Sequence, residues 1–307
     1  MSAIRVKNLT KRFDGFTAVD SISLIVEDGE FFGLLGPNGA GKTTTIRMLT
    51  GVLQPDDGTA SVCGYDIQEN PLEAKQLMGI VPEFADAYVD ISAMKNLLLM
   101  GELYGIPKKE SKEKANSLLN LFGLYEKRNQ KVKTFSKGMK QRVVVAMGLM
   151  NDPSILFLDE PTSGLDVESV RLIRKLIQKI NDDGITIVLT THNIEEANQL
   201  CDRVAIMNHG KIVAIDRPEV LRRTIQSTAS VEFSFLKTVE LKDLAFDNVI
   251  EVKKVGDKIR LYTEKPEDLI PCLVKYAESS GNKIVSLNTL APNLEDVYVK
   301  LTEGKKK

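Results

Sequence analysis

Along the chain, short apolar runs at residues 4–7, 31–35, 155–158, 185–189 and 204–207 have the length of strands, and helical spacing fills much of what lies between them. That alternation predicts an α/β domain on a sheet of mainly parallel strands. From about residue 92 to 151 the texture changes. "MKNLLLMGELYG", "KEKANSLLNLFG" and "MKQRVVVAMGLM" are helix candidates with no strand between them, which predicts a helical subdomain inserted in the α/β domain. After Pro218 a short helix at 219–225 leads through "QSTAS" to strands near 231–235, 249–255 and 259–262. A helix at 267–279, a strand near 284–287 and a last helix from Asn293 follow. The expected division is therefore an α/β domain over residues 1–224 and a small α+β domain over 225–307, the latter ending in a solvated "GKKK" tail.

Composition narrows the picture by exclusion. Lys plus Arg total 41 and Asp plus Glu 42, a net charge of −1, so nothing general favours nucleic acid or an anionic surface as partner. The cysteines, Cys63, Cys201 and Cys272, are far apart and lack CxxC or CxxH spacing, which argues against a disulfide framework or a zinc site. "MSAIRVKN" lacks the basic-then-apolar order of a signal peptide, and no apolar run approaches the roughly 18 residues of a membrane span. The expectation is a cytoplasmic chain that reaches a membrane only through a partner.

The strongest chemical signal is "GPNGAGKTT", comprising Gly36, Pro37, Asn38, Gly39, Ala40, Gly41, Lys42, Thr43 and Thr44. It fits the phosphate-binding pattern GxxxxGK[ST], with the apolar run "FFGLL" before it and the helical "TIRMLTG" after it. Glycines let backbone N–H groups turn toward phosphates, and the helix N-terminus adds its dipole. Lys42 is expected on the β- and γ-phosphates of ATP and Thr43 on Mg²⁺. A second signal is "ILFLDEPTSGLD", a strand ending in adjacent carboxylates that point differently. Asp159 suits Mg²⁺, and Glu160 suits a general base acting on the attacking water. A third strand, "IVLTTHN", ends at His192, which the parallel sheet would bring to the same edge for a hydrogen bond to the γ-phosphate. His209, in "MNHGK", has no such support.

"FSKGMKQRV", residues 135–143, crowds Lys137, Lys140 and Arg142 at a helix start, where cations are disfavoured by roughly 0.3–1 kcal/mol each. An incoming anion would account for them, with Ser136 Oγ, the Gly138 N–H and the helix dipole as its seat. Standing alone, the stretch reads better as an N-cap serine on a basic, solvated helix.

Taken in order and spacing, the P-loop, "FSKGMKQR", "LFLDE", "SGLD" and "TTH" make residues 2–224 resemble an ABC transporter ATPase subunit. The resemblance implies a homodimer or similar pair, joined head to tail, in which the signature stretch Ser136, Lys137, Gly138 and Met139 faces the ATP held by the partner's P-loop. It also implies that Asp166 lies at the dimer seam, that Phe13 stacks on adenine, and that a separate transmembrane permease is contacted through the helical insertion and the segment around Glu83. Two departures stand out. The family's usual LSGGQ reads FSKGM here, keeping Ser136 and Gly138, and its usual Gln is Glu83, which can still ligate Mg²⁺ while adding negative charge. "APNLEDVYVKLTEG", residues 291–304, resembles the end of the extension found on export-type subunits. Two other readings compete with a transporter subunit: a soluble ABC ATPase acting in translation or DNA repair, and a nucleotide-binding scaffold that does not hydrolyse.

Overall fold

In the computed structural model, residues 2–83, 87–224, 229–244, 246, 248–263 and 265–290 are described. The chain opens with β1 (Ser2–Phe13) and β2 (Phe16–Glu27), a hairpin, and continues into β3 (Phe31–Leu35) and α1 (Lys42–Leu49). Next come β4 (Asp57–Val62), β5 (Tyr65–Asp66), α2 (Pro71–Gln76) and β6 (Met78–Val81). The helical insertion is α3 (Ala93–Leu103), α4 (Lys108–Leu121) and α5 (Lys137–Met147), with 3₁₀ turns at Tyr125–Lys127 and Val132–Thr134 between the last two. Then β7 (Ile155–Asp159), α6 (Val167–Asp182), β8 (Thr186–Thr191), α7 (Ile194–Leu200), β9 (Arg203–Asn208) and β10 (Lys211–Asp216) complete this part.

The expected parallel sheet is present, in the order β10-β9-β3-β8-β7-β6, with only β10 antiparallel to its neighbour. Its central strands are covered on both faces: every residue of β3, β7 and β8 is buried, which is why these strands read as unbroken apolar runs. A second, antiparallel sheet, β2-β1-β4-β5, was not evident from the sequence. The run expected at 4–7 is part of a twelve-residue strand. Bulges interrupt its alternation, with Asn8 at φ 50° and Ser21 opposite at φ 51°, so the period-2 signal is lost after a few residues.

The chain divides into two compact units, Met1–Pro218 and Glu219–Lys307. Around the start of the second runs α8 (Pro218–Thr224), followed by β11 (Ala229–Phe235), β12 (Glu251–Val255), β13 (Lys258–Thr263), α9 (Pro266–Ser279) and β14 (Ile284–Leu290). Its strands form an antiparallel sheet, β12-β13-β11-β14, and Val231, Phe233, Leu261, Leu269 and Leu273 make a core between the sheet and α9. The helix expected from Asn293, the stretch 291–304 and the lysine tail lie outside the described residues. Among the described residues, no helix is long and apolar enough to cross a membrane.

The insertion meets the parallel sheet where two glycines approach. A Cβ on Gly79 of β6 would overlap the carbonyl oxygen of Gly148, the C-cap of α5, and come within 2.8 Å of Leu156 Cδ1. Gly79→Ala is therefore expected to destabilise the protein by about 2 kcal/mol, since neither backbone can yield cheaply. Urea unfolding followed by circular dichroism measures it; a midpoint equal to that of the unsubstituted protein would show that the contact does not constrain the insertion.

Candidate functional site

Gly36 follows the end of β3, and its N–H is held by the Thr191 carbonyl at 3.3 Å. The loop then turns into α1 through Gly41, at φ 104°, where a Cβ would lie 2.6 Å from the Ala18 carbonyl oxygen. Only glycine fits there. No side chain caps α1 and no acid occupies its first turn, so its leading N–H groups keep their positive field. Lys42 is buried and folds back over the loop, donating to the Gly36 carbonyl at 2.8 Å and the Pro37 carbonyl at 3.2 Å. A cavity of about 260 Å³ is bounded by residues 38–44, Glu83, Glu160, Phe16 and Ala18.

Phe13 and Phe16 face each other across the β1–β2 turn. Phe16, not Phe13, lines the cavity, while the Phe13 ring lies 5.5 Å from Lys11 Nζ. Both rings are exposed.

The two carboxylates separate as the strand alternation predicts. Asp159 Oδ1 accepts from Thr43 Oγ1 at 3.2 Å and from Thr190 Oγ1, its cross-strand neighbour. Glu160 leaves the strand at φ 49°, in the left-handed region, with its N–H held by Thr190 Oγ1 and the Thr190 carbonyl, each at 3.1 Å. Its Oε2 lies 2.8 Å from His192 Nδ1. Its Oε1 is 3.3 Å from Lys42 Nζ, an ion-pair distance without hydrogen-bond geometry, so that buried oxygen has no hydrogen-bond donor. His192 is half exposed just after β8, whereas His209 lies in the β9–β10 turn. Glu83, exposed, follows β6. The structure thus brings Lys42, Thr43, Asp159, Glu160 and His192 into one connected cluster, with Glu83 on the cavity wall.

Ser136 is the N-cap of α5, its Oγ accepting from the Met139 N–H at 3.3 Å. Residues 136–139 do not line the cavity of their own P-loop. Two of the neighbouring cations have acceptors within the chain, so an incoming anion is not required to account for them. Lys137 Nζ donates to the carbonyls of Ser163 at 3.0 Å and Gly164 at 3.2 Å. Arg142 Nη1 donates at 2.8 Å to the carbonyl of Phe122, the C-cap of α4, where the helix dipole is negative. Burial holds the Arg142 guanidinium below its usual pKa. Gly138 packs against α6: a Cβ there would overlap Ser169 Oγ and lie 2.7 Å from Ser169 Cβ. Asp166 is the N-cap of α6, accepting from the Ser169 N–H at 2.9 Å and hydroxyl at 2.8 Å, and these bonds hold its carboxyl below the ordinary range.

Several supporting residues had no recognisable signal. Thr190 joins the Asp159 carboxylate to the Glu160 backbone N–H, and its only trace is its place in "TTH". The Gly210 N–H supports the P-loop through the Ala40 carbonyl at 3.0 Å from the far side of a turn. Thr162 Oγ1 donates at 2.7 Å to Glu196, a buried carboxylate that also takes Arg174 Nε at 3.3 Å.

A family profile described as ABC transporter matches residues 19–163. The linearmycin resistance ATP-binding protein LnrL of Bacillus subtilis (strain 168) is 36% identical over 306 residues, covering 97% of this chain and 98% of that protein. The Nod factor export ATP-binding protein I of Ralstonia nicotianae is 36% identical over 299 residues, covering 97% of this chain and 93% of its own. Among solved structures, the dimeric ATP-binding cassette MJ0796 in a post-hydrolysis state with ADP and Pi is similar at a TM-score of 0.64 and 25% identity. It covers 70% of this chain and 98% of that one. Nearly full-length identity of this size joins the cluster at the sheet edge in one conclusion: the chain belongs to the ABC transporter family, as an ATP-binding subunit that hydrolyses ATP.

Proposed function

We propose that two copies of the chain pair head to tail around two ATP molecules and drive a separate transmembrane permease from the inner face of the cell membrane, in the direction of export. The observation that carries this reading is the separation of two half-sites. Lys42, Thr43, Asp159, Glu160 and His192 converge at one sheet edge, while Ser136 sits exposed at the head of α5 and lines no part of that cavity. A partner's Ser136 and Gly138 would complete each site. The names of the two relatives, one for linearmycin resistance and one for Nod factor export, support the outward direction. In this reading residues 1–224 hydrolyse ATP, 225–307 form an accessory domain, and the insertion and the segment around Glu83 meet the permease.

In the catalytic step, Lys42 exchanges the Gly36 and Pro37 carbonyls for the β- and γ-phosphates. Glu160 takes a proton from the attacking water, and His192, with Nδ1 2.8 Å from that carboxylate, stands beside it to donate an N–H to a phosphate oxygen. Thr43 Oγ1 and Asp159 Oδ1, with Glu83 nearby on the wall, form an all-oxygen donor set that fits Mg²⁺ completed by water and phosphate. Bound there, the ion would offset charge on the phosphate oxygens. Phe16 and Phe13 flank the turn from which an aromatic ring would meet adenine.

Glu160→Gln keeps the shape and loses the base. Turnover should fall by about 100-fold or more while ATP binding stays within a few-fold, and gel filtration with ATP should show an accumulated dimer. A variant that hydrolyses at near the original rate would remove Glu160 from the base role.

Glu83→Gln retains an oxygen for the metal and removes a negative charge facing the γ-phosphate, so ATPase activity should be unchanged or higher. A loss of tenfold, about 1.4 kcal/mol in the barrier, would give the carboxylate a specific task of its own.

The head-to-tail arrangement can be tested by mixing. Gly138 is unsuitable because a larger residue collides with Ser169 of the same chain, but Ser136→Asp preserves an N-cap and sets a charge against the partner's phosphate. Lys42→Ala spoils the P-loop. Each variant's homodimer has two broken sites, whereas the mixed dimer has one intact site. Differently tagged chains mixed with ATP should pull down heterodimers well above either homodimer, and equal recovery of all three would sink the arrangement.

A further inference from the structure

Between Glu160 and Asp166 the chain makes two consecutive turns, closed by the Ser163 N–H to the Glu160 carbonyl at 3.1 Å and the Leu165 N–H to the Thr162 carbonyl at 3.3 Å. Gly164 is in the left-handed region at φ 67°. This loop joins the base to the α6 cap and is held on two sides. On one, Thr162 is tied to Glu196, which is 1% exposed on α7, just past His192. On the other, the Lys137 ammonium at the head of α5 donates to the Ser163 and Gly164 carbonyls.

We propose that Lys137 is a positioning residue, whose ammonium fixes the 160–166 loop against the head of α5 and thereby sets the placement of Glu160 in its own chain's site. The inference rests on the proposed role of Glu160 as base and on the trans role of Ser136. It reassigns Lys137 from the partner's nucleotide to its own backbone.

The chemistry favours that assignment. A cation at the first position of a helix is repelled by the dipole, and here, among the described residues, it meets no carboxylate within ion-pair distance; two carbonyl oxygens compensate instead. Ser163 and Gly164 are both exposed, so without the ammonium their carbonyls would be left to water. Because Lys137 is adjacent to Ser136, one exposed side chain links the residue that would touch the partner's ATP to the loop that carries the base. The neighbouring packing of Gly138 on Ser169 secures the two helices but does not reach the turn. Removing the ammonium leaves that packing, the α5 cap and the Asp166 cap in place, so the fold is expected to survive.

The experiment uses the full chain with Lys137→Met and Lys137→Arg. The methionine keeps the stem and loses the donors; the arginine keeps both. For Lys137→Met, kcat should fall by about three- to tenfold with KM for ATP within twofold, and Lys137→Arg should recover at least about half of the original kcat. The chain contains no tryptophan, so Val167→Trp, at an exposed position beside Asp166, gives a single tryptophan at the end of the loop. Without nucleotide, acrylamide quenching of that probe should rise with Lys137→Met and not with Lys137→Arg. In a Glu160→Gln background, ATP-dependent dimerisation should be unaffected by Lys137→Met.

Unchanged quenching with weakened dimerisation would assign the ammonium to the partner's phosphate and overturn the proposal. Increased quenching with unchanged kcat would reduce the contact to local packing and overturn it as well. The quenching measurement needs no dimer, so it reads the loop contact even if Glu160→Gln with ATP fails to dimerise, the outcome that counts against the head-to-tail arrangement itself.

Discussion

Parallel pairing of β3, β8 and β7 is the constraint on which the site depends. Leu35 stands beside Thr191 and Asp159 beside Thr190, so the phosphate loop, both carboxylates and His192 leave the sheet at one edge. A slip of one residue would exchange the directions of Asp159 and Glu160 and leave Thr43 and Lys42 each facing the wrong neighbour. Thr190 guards against that slip. It is fully buried, its hydroxyl donates to Asp159 and accepts from the Glu160 N–H, and both bonds require the observed register.

Glu160 shows what the edge demands of a single residue. A non-glycine side chain at φ 49° costs on the order of 1–2 kcal/mol relative to extended backbone. The bend directs the carboxylate to Lys42 and His192 instead of continuing the strand, and the Glu160 N–H donating to Thr190 and its carbonyl accepting from the Ser163 N–H hold it there. The same bend begins the turn that carries Thr162 to Glu196, so the geometry of Glu160 and that of the following loop are one conformational choice.

The parts legible in the sequence were those whose signal is contiguous. The P-loop is a short pattern between a strand and a helix, and the core strands are unbroken apolar runs because helices cover both faces. What escaped is non-local or irregular. The β1–β2 hairpin was obscured by bulges at Asn8 and Ser21. Thr43 and Asp159 are 116 residues apart, so the strand pattern suggested a shared edge without fixing their contact. Thr190, Glu196 and Gly210 act through backbone and buried polar bonds that no residue pattern announces.

Why α5 begins in a cluster of cations has a different answer from the one its charge suggests. Lys137 and Arg142 are turned to carbonyl groups of their own chain, a loop in one case and a helix end in the other. Besides Lys140, what remains at the head of the helix for an anion is a serine hydroxyl and the N–H groups of Lys137 and Gly138, the Met139 N–H being taken by Ser136 Oγ. These are short-range, directional donors, whereas free lysines would act as diffuse charge and be screened by salt over about 10 Å at 0.1 M. An anion received there would be selected by its fit against the backbone, as a phosphate would be at α1. The two helix heads of the chain offer the same chemistry, one beside its own cavity and one facing away from it.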